Sequence, residues 1–353
     1  MKKPNNKQNK NSADFCVSRR TLLASLPALG FLPSVLTAQT APAISIKKIN
    51  CFEISVSDTA RTVAFYQDLF GMPVQARFGE RICLRVGSGP QFMAVRPVEP
   101  GEAPAITYIG YSVENFDVKT QQAALLAEGY KEIEPPAITA PGIESAMSTW
   151  VRMRGDTPEL FFADARGLIV QLSDDENCGG TGPLGNVCGP LETAPAGMFK
   201  LSDINHFTAF VNDGAGANTY YQELFGLEVQ SHQGPTSPVT GIGDRHQFVM
   251  YAGPFPGGEN APANINHGCF NMEGFSVDDI LAKLTTYGLT ARGEQEVKPL
   301  MHYVSLRQPA RGGAEGGTPE VYFTDPDGIL MQLQDVTYCG GGGYLGNECK
   351  EGV

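Results

Sequence analysis

The chain contains its own copy. Phe65-Tyr66-Gln67-Asp68-Leu69-Phe70-Gly71 returns as Tyr220-Tyr221-Gln222-Glu223-Leu224-Phe225-Gly226, and Thr157-Pro158-Glu159-Leu160-Phe161-Phe162 returns as Thr318-Pro319-Glu320-Val321-Tyr322-Phe323. Ile49-Asn50-Cys51-Phe52 likewise matches Ile204-Asn205-His206-Phe207, which sets the period at 155–161 residues. Matches in the same order at one period mean two copies of one folding unit. They run over 46–190 and 200–351, with a short linker at 192–197. A length of 353 residues is that of two ordinary domains, and 42% apolar residues are enough to fill two cores.

Ahead of the first copy lies a segment of another kind. Lys2, Lys3, Lys7, Lys10, Arg19 and Arg20 precede an apolar run from Leu22 to Leu36, followed by the small residues Ala38, Ala41 and Ala43. This is the pattern of a signal peptide over 1–43 with cleavage at about 38–43. Pro27 and Pro33 break the run, which is too short for a comfortable membrane span. Ser18-Arg19-Arg20-Thr21-Leu22-Leu23 resembles the twin-arginine export motif, with an ordinary Sec signal as the alternative. The expected location is the periplasm or the medium.

Removing residues 1–43 takes away six basic residues and one acidic one, moving the net charge from −12 to about −17. Such a body repels nucleic acid and anionic lipid, so neither is an expected partner of the processed protein. Cysteine usage suits an oxidising compartment. Cys178 and Cys188 enclose a glycine-rich loop, and Cys339 and Cys349 enclose another at the same spacing. Two local disulfides are expected. A four-cysteine zinc site and cross-pairing between the copies stay open as alternatives, the first weakened by the lack of C-x-x-C spacing.

Each copy divides again. In the second, Asp203–Asn212 alternates as a strand, Gly216–Phe225 reads as a short helix stopped by Gly226, and three short strands follow, ending at Gln247–Tyr251. A strand at Asn266–Met272 and a helix at Val277–Tyr287 open the second half. Val321–Thr324 and Ile329–Gln334 then flank the tight turn Asp325-Pro326-Asp327-Gly328. The pattern is βαβββ twice per domain, an α+β fold of four modules.

The helix ending in F-Y-x-x-L-F-G, with a terminal D-P-D-G-x-x-x-Q-L, resembles the vicinal-oxygen-chelate superfamily: glyoxalase I, bleomycin-resistance proteins and type I extradiol dioxygenases. The resemblance implies two tandem domains, each of two βαβββ modules forming a curved, cup-shaped sheet. It also implies metal ligands on the first strand of each module and on the strand after the D-P-D-G turn. In the second copy these positions hold His206, His267 and Gln332. Strand alternation independently turns all three away from the apolar faces formed by Phe207, Ala209 and Val211, by Phe270 and Met272, and by Met331 and Leu333. Two imidazoles and an oxygen donor suit a divalent ion with open positions. Gln332 departs from the glutamate of the dioxygenases, and a metal-free pocket is the alternative. Glu320 is a substitute ligand if its strand reaches the pocket. The first copy holds Cys51, Tyr108 and Gln171 at these places and reads as structural.

The resemblance further implies catalytic roles for His246, in a stretch similar to the dioxygenases' R-H-H-S, for His302 on a later strand, and for Tyr322, ten residues before Gln332. Such groups would shuttle protons or orient a phenolate or enolate. His232 reads as exposed. Gln308–Glu315, with Arg311, is extra in the second copy and reads as a surface loop, with a lid at the pocket mouth as the alternative. The implied function is a metal-dependent enzyme acting on a small oxygenated or aromatic molecule. Extradiol ring cleavage with iron(II) is favoured, followed by a glyoxalase-type lyase or isomerase using zinc, manganese or nickel. A metal-free sequestering protein of the bleomycin-resistance type is the alternative from another class. Homodimerisation stays open.

Overall fold

The computed structural model describes residues 42–350 apart from 144–145, 235–236, 244–245, 256–260 and 294–296. The expected signal segment and twin-arginine motif lie outside the described residues, as do Asp244 and Arg245 of the stretch around His246. Among the described residues no helix is long and apolar enough to cross a membrane.

The first domain runs β1 (Ile46–Val56), α1 (Thr59–Phe70), β2 (Val74–Phe78), β3 (Arg81–Arg85), β4 (Phe92–Pro97), β5 (Ala105–Val113), α2 (Val118–Ala127), β6 (Lys131–Glu132), β7 (Ser148–Arg154), β8 (Thr157–Ala163) and β9 (Ile169–Ser173). The second repeats it as β10 (Leu201–Phe210), α3 (Gly214–Phe225), β11 (Val229–His232), β12 (Pro238–Ile242), β13 (Gln247–Ala252), β14 (Asn264–Met272), α4 (Val277–Tyr287), β15 (Thr290–Ala291), β16 (Met301–Arg307), β17 (Thr318–Thr324) and β18 (Leu330–Asp335). A 3-10 turn, Pro309–Arg311, lies in the segment extra to the second copy.

Each domain is one nine-stranded mixed sheet, ordered β2-β3-β4-β1-β5-β9-β8-β7-β6 and β11-β12-β13-β10-β14-β18-β17-β16-β15. The first strands of the two modules lie side by side at the centre. The second module of each domain carries one strand more than the expected βαβββ, the two-residue edge strands β6 and β15.

The repeated helix obeys the same local rules in both copies. Asp58 and Asp213 cap α1 and α3 by accepting the amides of Arg61 and Gly216, and Gly71 and Gly226 end them at φ 64° and 67°. The buried faces of these helices meet a core that is continuous across both domains. Phe52 and Phe207, equivalent residues of β1 and β10, contact at 5.1 Å edge to face, and Phe70 reaches Phe270 and Phe323 of the other domain. The opposite faces of the sheets therefore form the two cups.

The glycine-rich loops are closed within each copy by Cys178–Cys188 and Cys339–Cys349. Neither cross-pairing nor a four-cysteine site occurs. Cys51, Cys83 and Cys269 are buried free thiols. One arginine anchors each loop: Arg154 donates to the carbonyl of Gly180 at 2.6 Å and Arg307 to that of Gly341 at 2.8 Å.

Candidate metal centre

The central ladder of the second domain slips three times, two of them beside a histidine. Ile204 faces Phe270 while His206 faces Cys269, so Asn205 is an extra residue on β10; Thr208 faces His267 while Ala209 faces Ile265, so Asn266 is extra on β14. These are β-bulges, and each bends the strand at an Asn-His pair. Asn205 Oδ1 lies 2.6 Å from His206 Nδ1, and Asn266 Oδ1 lies 2.9 Å from His267 Nδ1. The first amide is oriented by its other end: Asn205 Nδ2 donates to the carbonyls of His246 and Tyr338 at 3.1 and 2.9 Å. Its oxygen therefore accepts, His206 Nδ1 carries the proton, and Nε2 is left as the lone-pair nitrogen.

The imidazoles stand edge to face, ring centres 5.5 Å apart, and His206 stacks on Phe248 at 4.2 Å. Burial, reinforced by the neighbouring His267, pushes the His206 pKa well below its ordinary value; burial alone brings His267 down to about 4. Both are neutral at neutral pH, the form that ligates. Gln332, level with Cys269 on β18, presents its amide to both rings, and its buried Nε2 has no hydrogen-bond partner among the described residues.

All three side chains line a cavity of about 440 Å³. Tyr322 lines it too, with its ring 5.3 Å from His267 and stacked at 4.9 Å on Tyr303. Its hydroxyl donates to Glu320 Oε2 at 3.3 Å, and burial, with the nearby Glu320, pushes the phenol pKa well up. Glu320 reaches the cavity wall, but its Oε1 already accepts from Arg307 Nε at 2.9 Å and the Tyr338 hydroxyl at 3.2 Å. It is the tie between arginine and tyrosines, as Glu159 is to Arg154 in the first domain.

Two expected residues do not join them. His302 is buried on the other face of β16, where its Nε2 meets Thr285 Oγ1 of α4 at 2.9 Å. His246 is exposed in the turn before β13. Neither lines the cavity. The extra segment of the second copy does reach it: Arg311 lines the cavity, which corrects its reading as a plain surface loop.

Among the described residues the first cup is filled where the second is open. By strand register Glu53, Arg81, Arg96, Tyr108, Trp150, Arg152 and Phe161 correspond to Thr208, Ser237, Ala252, His267, Tyr303, Ser305 and Tyr322. In the first cup Glu53 binds Arg81 at 2.7 Å and Arg96 at 2.9 Å, Arg81 donates to the Tyr108 hydroxyl, and Trp150 stacks on Phe161 at 5.7 Å beneath Arg152. Paired charges and large rings fill the space. Cys51 there donates to Gln171 Oε1 at 3.3 Å, and burial raises its thiol pKa far above normal. In the second cup smaller side chains leave the volume vacant.

The sequence reading overlooked Asn205 and Asn266, although Ile-Asn-His stands at both 204–206 and 265–267. It also overlooked Arg292, Tyr303 and Tyr338. Among the described residues no three His, Cys, Asp or Glu side chains converge on a point, so an ion here would depend on Gln332. The set fits one. Two imidazole nitrogens and an amide oxygen suit a divalent first-row ion.

Residues 203–333 match the family model of the Glyoxalase/Bleomycin resistance protein/Dioxygenase superfamily. No curated protein matches the chain. Similar solved structures include the Mn(II)-bound glyoxalase of Novosphingobium aromaticivorans, at 16% identity and TM-score 0.53 over 82% of each chain. Another is the substrate complex of homoprotocatechuate 2,3-dioxygenase from Brevibacterium fuscum with 3,4-dihydroxyphenylacetate, at 17% and 0.55 over 84% of this chain and 83% of that one. The Arthrobacter globiformis homoprotocatechuate 2,3-dioxygenase gives 17% and 0.54 over 83% and 81%. At such identities the likeness is one of fold. The second domain thus belongs to the glyoxalase, bleomycin-resistance and dioxygenase superfamily, and the first repeats its fold strand for strand.

Proposed function

We propose that the second domain is a metal-dependent enzyme acting on a small oxygenated or aromatic compound, with the ion on His206, His267 and Gln332. The carrying observation is the pair of bulged Asn-His units, which hold two neutral imidazoles toward one cavity. A structural histidine pair has no need of one asparagine that holds the proton on His206 Nδ1 and a second set against His267 Nδ1. A divalent ion there would stabilise enolate or phenolate charge on neighbouring substrate oxygens. Tyr322 keeps its proton at Oη, and its ring, stacked on that of Tyr303, lines the cavity.

Extradiol ring cleavage with iron(II), the reaction favoured from sequence, draws less support from this cavity. The two histidines expected beside its substrate stand outside. A lyase or isomerase using manganese, zinc or nickel needs only the ion and Tyr322. Export through the signal segment belongs to the same proposal, and the two disulfides support it.

Sequestration without turnover is the second reading, favoured by the amide at position 332 where a carboxylate would bind an ion more firmly. Elemental analysis of the purified protein separates the two. About one equivalent of metal per chain, lost in His206→Ala and His267→Ala, is the expected result; protein that is metal-free and takes up none on incubation would leave sequestration standing.

A further inference from the structure

Outside the cups, one place in the second domain has lost a side chain that the first domain keeps. In the first domain Gln75 Nε2 donates to the carbonyl of Cys178 at 3.0 Å, and its Oε1 accepts from Arg85 Nε at 3.1 Å. Gln230 repeats the first of these bonds, its Nε2 donating to the carbonyl of Cys339 at 2.7 Å. That bond fixes which end of the amide is oxygen. Strand register pairs Arg85 with Phe92 and Gly241 with Phe248, and the amides of Arg85 and Gly241 donate to the carbonyls of Pro73 and Glu228, both at 2.9 Å. Pro73, Gln75 and Arg85 thus correspond to Glu228, Gln230 and Gly241. The guanidinium is gone, and Gln230 Oε1 is buried without a hydrogen-bond partner among the described residues. A buried acceptor left without a donor is costly. The place is not closed over either. Glu228, Gln230, Gly241 and Gly243 line a cavity of about 340 Å³ between the end of α3, the edge of the sheet and the start of β1. The cleft at the same place in the first domain is lined by Pro73, Arg85 and Lys200. Between the copies an arginine has become a void and a proline a carboxylate.

We propose that this cavity binds an alkylguanidinium cation, which restores from outside the group that Arg85 supplies in the first domain. One guanidinium N–H donates to Gln230 Oε1, and the exposed Glu228 carboxylate supplies the opposite charge. The net charge of −12 draws such a cation toward the protein. The site lies outside the cup and stands independently of the proposed metal centre.

The test is a ligand-observed NMR titration with n-butylguanidinium and with n-butylurea, its neutral counterpart of the same shape. The cation is expected to bind the parent chain at least about tenfold more tightly than the urea. Gly241→Arg puts the missing group back, so it should lower the affinity for the cation by at least about tenfold and raise the thermal midpoint. Should that variant fail to fold, Glu228→Gln carries the test: the residue is exposed, and its loss of charge should weaken the cation by about three- to tenfold. Acetyl-Gly-Arg-Gly-amide identifies the source of the ligand. Binding of the peptide points to an arginine side chain, and rejection of it beside a bound n-butylguanidinium points to a free guanidino compound. Equal binding of cation and urea, no binding up to about 10 mM, or an affinity that survives in folded Gly241→Arg overturns the site.

Discussion

Asn205 Oδ1 and His206 Nδ1 stand 2.6 Å apart across a β-bulge, and the other end of the same amide is pinned to two backbone carbonyls. The strand thereby dictates which imidazole nitrogen keeps its proton. Replacing Asn205 by alanine frees the ring to rotate and change tautomer, and metal affinity should fall by about 10- to 100-fold. Competition with a fluorescent chelator measures it. An unchanged affinity in a folded Asn205→Ala protein would show that the asparagine serves the strand alone.

Gln332→Glu places a full negative charge against the ion in place of an amide dipole. Affinity should rise by about tenfold or more, with the greatest gain for the hardest ions. The same chelator competition reads it. A variant that binds metal no better than the parent would remove Gln332 from the ligand set.

Filling of the first cup is a matter of stability, and its loss should leave the second domain's chemistry alone. Trp150 is fully buried against Phe161. Trp150→Ala should cost about 3–5 kcal/mol in denaturant unfolding without altering metal content. Loss of metal in a folded Trp150→Ala protein would mean that the first domain contributes to the site.

Asp325, in the turn before β18, supplies the pH dependence. Burial pushes its carboxyl up from 3.8 to about 7, although the amides of Ile329 and Asp327 donate to it. The folded chain keeps a proton that the unfolded chain releases near pH 4. Stability therefore falls as pH rises from about 4 to about 7. Asp325→Asn keeps an acceptor oxygen and removes the ionisation, so its melting temperature should fall less over this window than the parent's. Identical slopes by calorimetry would contradict the assignment. Asp164, the counterpart in the first domain, is raised in the same way and contributes to the slope in both proteins.

The disulfide loops close ten-residue separations next to the arginines that tie them to the sheets. Reduction of either should destabilise its domain by about 2–3 kcal/mol. Unfolding with and without reductant tests this, and Cys349→Ser isolates the loop beside Glu320. A transition insensitive to reductant would assign the loops' order to Arg154 and Arg307.

Much of this site was legible because strand chemistry is periodic. Alternation along β10, β14 and β18 puts His206, His267 and Gln332 opposite the apolar residues, and the cavity lies on that side. The resemblance places His302 in the pocket, and strand alternation alone cannot correct this. Alternation sets His302 and Tyr303 on opposite faces but does not say which face is the cup. The pairing of Tyr303 with Tyr322 decided it, turning Tyr303 inward and His302 toward Thr285. His246 sits in a turn, where no periodicity applies.

The sequence by itself determined the duplication, the matching helix caps, the paired loops and the twin Ile-Asn-His segments, because each is a local pattern that chain geometry enforces on neighbouring residues. Only the tertiary structure decided which cup is open. That depends on Thr208, Ser237, Ala252 and Ser305 standing where Glu53, Arg81, Arg96 and Arg152 stand in the other domain, and these four lie on β10, just before β12, on β13 and on β16. A cavity is volume left unfilled by residues remote in the chain, so it exists only once the strands are in register.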